Sequence, residues 1–162
     1  GVQSAAFSDF CPSVVLECGQ SGQADGVSHS SRFLQAVLNT EKLSSEHPVH
    51  INLFHTVARV TVPETFSLGT DSNTDIHLNH ELEKMIFEQL ASGSIFAGLN
   101  PESNAHLVVT NESNEDVSSE FFETRDSKIV LKKNATLSMY TTSERAIRQD
   151  CLCYLMEQIH IG

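Results

Sequence analysis

The chain has 162 residues, of which 40% are hydrophobic, and its 21 acidic and 10 basic residues give a formal net charge of −11 at pH 7. This length suits one domain with its own core, or a lobe of a larger protein. Nucleic acids and anionic membranes bind clustered Lys and Arg, and Lys132-Lys133 is the only adjacent basic pair. No apolar run approaches the ~20 residues that span a bilayer. We therefore expect no nucleic-acid partner and no membrane partner.

The first predicted elements are a strand, a loop and a helix. Residues 13–18 (SVVLEC) are rich in β-branched residues and lie between Pro12 and Gly19, which favours a short buried strand. The polar loop at 19–26 (GQSGQADG) cannot continue that strand. Residues 28–43 have apolar side chains at helical spacing and begin with serines that can cap a helix. This order of elements is typical of an α/β domain.

After a linker at residues 44–48, short apolar segments predict a β-rich domain. The apolar residues of segment 50–62 change parity midway, which predicts a strand with a bulge or bend. Residues 81–90 have the spacing of a short helix. The other predicted strands are 74–79, 93–98, 105–110, 120–124, 128–131, 135–140 and 151–159, and the predicted loops are 111–119 and 141–149.

These elements predict an α+β fold that is mostly β. We expect residues 1–45 to be a leading strand-loop-helix piece of α/β type. Residues 46–162 are expected to form a β-rich C-terminal domain.

The four cysteines are too few and too unevenly placed for a disulfide scaffold. They are Cys11, Cys18, Cys151 and Cys153. A four-cysteine zinc site is an alternative, but neither pair has the spacing that structural zinc sites favour. We therefore expect buried, reduced thiols in a cytoplasmic protein.

Glu17 is the strongest candidate for a catalytic residue. A carboxylate at the end of a buried strand is unfavourable unless something there uses it. Ligands of open α/β sheets bind at the carboxyl ends of strands, where a carboxylate can act as a general base on water, particularly beside a metal ion. The structural alternative is that Glu17 forms a salt bridge or caps the nearby helix.

Residues 14–19 (VVLECG), the following loop and the helix together resemble the second half of the succinylglutamate desuccinylase/aspartoacylase family. These proteins are zinc-dependent deacylases with a carboxypeptidase-like fold. In the family, a strand ends in a catalytic Glu that is followed by a small residue and Gly, and a helix then leads into a C-terminal β domain. Residues 93–97 (GSIFA), 128–139 and 151–155 resemble later strands of that domain. The resemblance therefore implies that residues 1–45 are the terminal strand-loop-helix piece of a catalytic α/β domain like that of zinc peptidases.

The resemblance implies a parent enzyme that hydrolyses the amide of an N-acyl amino acid, with Glu17 as general base on a zinc-bound water. The family's zinc ligands, a His-x-x-Glu pair and a later His, lie upstream of the Glu strand, and no residue before Glu17 is His. The resemblance thus assigns no zinc ligand and no substrate-binding residue here. We expect the missing N-terminal half of the same protein to supply them, so this chain alone should be an inactive piece that can self-associate as a homo-oligomer.

Two other sites and one other class of protein compete with this interpretation. If residues 77–83 were helical, His77, His80 and Glu81 would share a face and could bind a metal, although a solvated surface is the interpretation we favour. Cys18 follows the predicted strand like a nucleophile, but the sequence places no His partner beside it. The chain could also be a non-catalytic β-rich binding or interaction module in which Glu17 is merely structural.

Overall fold

The structure is a computed structural model, and it describes residues 3–18, 25–42, 52–71 and 73–159. The chain divides into two compact units, Gly1–Val49 and His50–Gly162. Within the described residues, no helix is long and apolar enough to cross a membrane.

The described part of the N-terminal unit contains two helices, α1 (Gln3–Phe7) and α2 (Asp25–Leu38). The predicted helix over 28–43 therefore begins three residues earlier and ends at Leu38. Residue 43 and the loop residues 19–24 lie outside the described residues. None of the described side chains of α2 is buried.

The predicted strand at residues 13–18 is wrong. These residues follow α1 without forming a strand, and Val14, which a buried strand would enclose, is 77% exposed. A strand is stabilised by hydrogen bonds to a neighbouring strand. The described part of the N-terminal unit contains no strand with which this segment could pair.

The C-terminal unit is built from two five-stranded sheets. Its strands are β1 (Leu53–Thr61), β2 (Leu68–Gly69), β3 (Ile76–Leu78), β4 (Gln89–Leu90), β5 (Ile95–Leu99), β6 (Val108–Asn111), β7 (Phe122–Arg125), β8 (Lys128–Leu131), β9 (Ala135–Ser138) and β10 (Cys153–Ile159). One sheet has the order β4-β9-β10-β1-β6 and the other has the order β2-β3-β5-β8-β7. The β2–β3 pair is parallel, whereas the other pairs of these sheets are antiparallel.

The predicted irregularity in the first long strand is confirmed. Where β1 pairs with β10, the register shifts between Thr56 and Ala58, so that Val57 is an extra residue. Beyond this bulge, Ala58 and Val60 point into the core. The parity change in the sequence therefore records the bulge that turns the strand's apolar face inward.

Short helices account for the other differences from the predicted elements. The predicted helix at 81–90 is a 3-10 helix, His80–Met85, followed by β4. The predicted loop 141–149 contains α4 (Glu144–Gln149), and α3 (Ser118–Phe121) spans the end of the predicted loop 111–119 and the start of the predicted strand 120–124. Ile147 is the only buried residue of α4, and a single buried residue leaves no periodic pattern in the sequence.

Both sheets contribute to one hydrophobic cluster in the C-terminal unit. Phe96 of β5 is fully buried, and the centroid of its ring lies 4.8 Å from that of Phe122 and 5.7 Å from that of Tyr140. Leu137 of β9 and Leu155 of β10 are also fully buried. The unit therefore has a core of its own, and the predicted α+β, mostly β, fold class is confirmed.

Candidate functional site

Glu17 lies in the irregular segment that follows α1, and its side chain is exposed. Its carboxylate forms no hydrogen bond and no ion pair with any other described residue. The salt bridge considered above as a structural alternative is therefore absent from the described part of the chain. The carboxylate is open to water, as a general base must be to reach its proton donor.

The backbone next to Glu17 lies against the first turn of α2. An ideal Cβ atom built on Gly26 would stand inside van der Waals distance of the Cys18 carbonyl oxygen, and 3.6 Å from the carbonyl carbon. The glycine is held in the helix by Ser30, whose hydroxyl donates a hydrogen bond of 2.9 Å to the Gly26 carbonyl oxygen. The end of the Glu17 segment and the start of α2 are thus in direct backbone contact.

The four cysteines are free and differ in burial. Cys151 and Cys153 are buried, as expected, but Cys11 is exposed and Cys18 is half-buried. Burial raises the pKa of the Cys151 thiol, and it raises that of Cys153 further, which keeps both protonated and unreactive.

His77 and His80 do not share a helical face. His77 lies in β3, and its Nε2 atom donates to the Thr74 carbonyl oxygen at 2.7 Å. His80 begins the 3-10 helix, where its Nε2 atom lies 2.7 Å from Glu81 Oε1. The Lys84 ammonium also binds the Glu81 carboxylate and is the largest cause of its lowered pKa. These side chains are therefore paired with near neighbours rather than converged on one point.

The described residues do not fit the zinc ion that the family resemblance implies. Nowhere in 3–18, 25–42, 52–71 and 73–159 do three or more His, Cys, Asp or Glu side chains form a group that could hold a metal. His47, His50 and His160 lie outside these ranges.

A surface cavity that the sequence did not indicate lies in the C-terminal unit. It has a volume of about 250 Å³ and is lined in part by His106, Asp116 and Glu123, over an apolar wall that includes Phe122. Asp116 Oδ1 accepts hydrogen bonds from the Ser118 backbone N–H at 2.9 Å and from the Ser118 hydroxyl at 2.5 Å. These bonds lower the pKa of Asp116 and commit its carboxylate to the local turn.

Two exposed apolar residues near β9 have strained backbones. Phe87 has φ of 66° and Met139 has φ of 59°, and their side chains are 59% and 57% exposed. Bulky residues rarely adopt this left-handed conformation. The Phe87 backbone N–H donates to the Leu137 carbonyl oxygen at 2.8 Å, which holds Phe87 next to β9. Such strain is found at interaction sites as well as in tight turns.

Comparison with known proteins identifies no relative: no family model, no curated protein and no solved structure matches the chain.

Proposed function

We propose that the chain is the C-terminal portion of a zinc-dependent hydrolase that deacylates N-acyl amino acids. In this proposal Glu17 is the general base and the β-rich unit helps to select the substrate. The observation that carries the proposal is the sequence at residues 14–19 (VVLECG), which places Glu17 before a small residue and Gly, as in the succinylglutamate desuccinylase/aspartoacylase family.

The surroundings of the Glu17 carboxylate support this role. Its carboxylate is exposed and has no partner among the described residues, so it is free to accept a proton from the water that attacks the amide. The same group can then return the proton to the departing amine.

The zinc ion belongs to the part of the protein that the resemblance places upstream. The resemblance places all of the zinc ligands there, so this chain by itself should not turn over substrate. The free cysteines fit a reducing compartment, and we place the enzyme in the cytoplasm.

The test is Glu17→Gln in the full-length protein, with hydrolysis of N-acetyl- and N-succinyl-amino acids and zinc content as the two measurements. The variant should lose most turnover and keep its zinc, since the general base is not a zinc ligand. Glu41→Gln is the matched control, because Glu41 is an exposed carboxylate in the same unit. Unchanged turnover in Glu17→Gln would refute the proposal.

A second candidate is a non-catalytic binding or interaction module. It is favoured by the core of the C-terminal unit and by the cavity lined by His106, Asp116 and Glu123. The upstream coding sequence distinguishes the two candidates. A His-x-x-Glu pair followed by a later His favours the hydrolase, and an upstream sequence without them favours the module.

A further inference from the structure

Gly26 is the second residue of α2, a position where helix propensity favours almost any other residue. Glycine loses more conformational freedom in a helix than alanine does. Its presence is explained by the close approach of the Cys18 carbonyl oxygen, which occupies the place of a side chain. The neighbouring group is backbone, so it cannot swing aside as the end of a flexible side chain could.

The helix is also fixed at this point. Ser30 donates its hydroxyl hydrogen bond to the Gly26 carbonyl oxygen from one turn further along α2. If a methyl group were added at Gly26, the segment that ends at Cys18 would therefore have to move. Glu17 is the residue immediately before Cys18 in that segment.

We propose that Gly26 is a positioning residue for Glu17: by presenting no side chain, it lets the Cys18 carbonyl lie against α2 and so fixes the backbone that carries the carboxylate. The catalytic consequence rests on the proposed function, whereas the backbone contact does not. The two can therefore be tested separately.

The contact is tested in this chain by the alkylation rate of Cys18, which is half-buried, in a Cys11→Ser background. Gly26→Ala should speed alkylation of Cys18 several-fold, because the displaced segment exposes the thiol. Cys151 and Cys153 are buried in the C-terminal unit and should stay unreactive, which shows that this unit remains folded.

Ser28→Ala is the matched control, since Ser28 is an exposed residue of the same helical turn and alanine there also raises helix propensity. It should leave alkylation of Cys18 unchanged. Hydrogen exchange of the α2 amides shows whether the helix persists in Gly26→Ala. Faster alkylation with a protected helix supports the proposal. An unchanged or slower rate, or a rise that accompanies loss of helix protection, overturns it.

The catalytic consequence is tested in the full-length protein. Gly26→Ala should lower kcat and leave KM unchanged, because a displaced base slows chemistry without altering substrate binding. If Glu17→Gln abolishes turnover and Gly26→Ala does not lower kcat, the positioning role is wrong. If Glu17→Gln has no effect, the proposed function is wrong, and the alkylation result still decides the backbone contact.

Discussion

The two units contain similar apolar segments but bury them very differently. In the N-terminal unit, Phe33, Leu34 and Val37 recur at helical spacing along α2, and all three are exposed. In the C-terminal unit, Phe96 and Leu137 are enclosed by side chains from two sheets. Apolar periodicity therefore predicts which face can be buried, and burial itself depends on the surfaces that surround it.

The same contrast explains why one of two predicted strands forms and the other does not. Within segment 50–62, residues 53–61 form β1, which pairs with β10 and β6. Segment 13–18 also contains β-branched residues, Val14 and Val15, but has no strand beside it among the described residues. None of the described side chains of α2 is buried, whereas most helix stability in proteins comes from tertiary packing.

The largest expected effect compares the two kinds of apolar residue directly. Phe96→Ala should lower the free energy of unfolding by about 3–5 kcal/mol, because it empties the space between Phe122 and Tyr140. Leu34→Ala should change it by no more than about 0.5 kcal/mol, as expected for an exposed residue.

Urea unfolding measures both variants. The chain has no Trp, and its two Tyr residues, Tyr140 and Tyr154, both lie in the C-terminal unit, so tyrosine fluorescence reports that unit alone. Far-UV circular dichroism also includes α2. If Leu34→Ala lowered the free energy of unfolding as much as Phe96→Ala, the face of α2 that carries Leu34 would be buried. The contrast between the two units would then be wrong.

The second prediction concerns how loops are held in the C-terminal unit. The Arg148 guanidinium donates hydrogen bonds to the carbonyl oxygens of Val62 at 3.3 Å, Pro63 at 3.1 Å and Phe66 at 2.5 Å. Arg148→Ala should lower the free energy of unfolding by about 1.5–3 kcal/mol, since it removes bonds from a charged donor and leaves partly buried acceptors unpaired. Tyrosine fluorescence in urea is again the measurement.

Arg125→Ala is the control for Arg148→Ala. Arg125 pairs with Glu123 on the surface, and its side chain is 64% exposed, so its loss should change stability by about 0–1 kcal/mol. Equal losses in the two variants would show that the carbonyl contacts of Arg148 contribute nothing specific.

Features that depend on residues close together in the sequence could be predicted, whereas features that depend on distant residues could not. The change in parity of the apolar residues in segment 50–62 predicts the bulge of β1. It does so because the alternation of apolar and polar residues within one strand shows which of its side chains are buried. Whether segment 13–18 pairs as a strand could not be predicted, because pairing depends on residues that are distant in the sequence. The exposure of Glu17 was missed for the same reason.

The contact at the candidate site could not be predicted either. A backbone carbonyl leaves no signature in the sequence, so nothing marked the approach of Cys18 to α2. The only available signal is Gly26 itself, the last residue of the predicted loop 19–26, and glycine at such a position usually indicates a loop.

The third prediction concerns an exposed residue of the C-terminal unit whose backbone is strained. Met139 is 57% exposed and has φ of 59°, a conformation that disfavours side chains by about 1–2 kcal/mol. Met139→Gly should therefore raise the free energy of unfolding by about 1 kcal/mol, after allowing for the entropy of glycine. Glu157→Gly, at an exposed position of β10, should lower it instead. Destabilisation by Met139→Gly would show that Met139 packs like a core residue.

The smallest expected effect is a pH dependence confined to the C-terminal unit. Asp75 Oδ2 accepts hydrogen bonds from the Ser67 backbone N–H at 2.8 Å and from the Ser67 hydroxyl at 2.6 Å. The side-chain bond from Ser67 is the largest cause of the lowered pKa of Asp75, followed by that from Ser103. In the unfolded chain this carboxyl regains its ordinary pKa.

Because the folded pKa is the lower one, the stabilisation by Asp75 is complete above the ordinary aspartate pKa. It is lost as the pH falls through the depressed folded value. The stability difference between wild type and Asp75→Asn should therefore shrink on acidification from about pH 5 toward about pH 2. Tyrosine fluorescence should detect the change, since the carboxylate links two segments of the unit that contains both tyrosines. Glu157→Gln, which removes an exposed carboxylate of β10, controls for the general effect of lost charge. Parallel curves for wild type and Asp75→Asn would show that the serine contacts do not persist in solution.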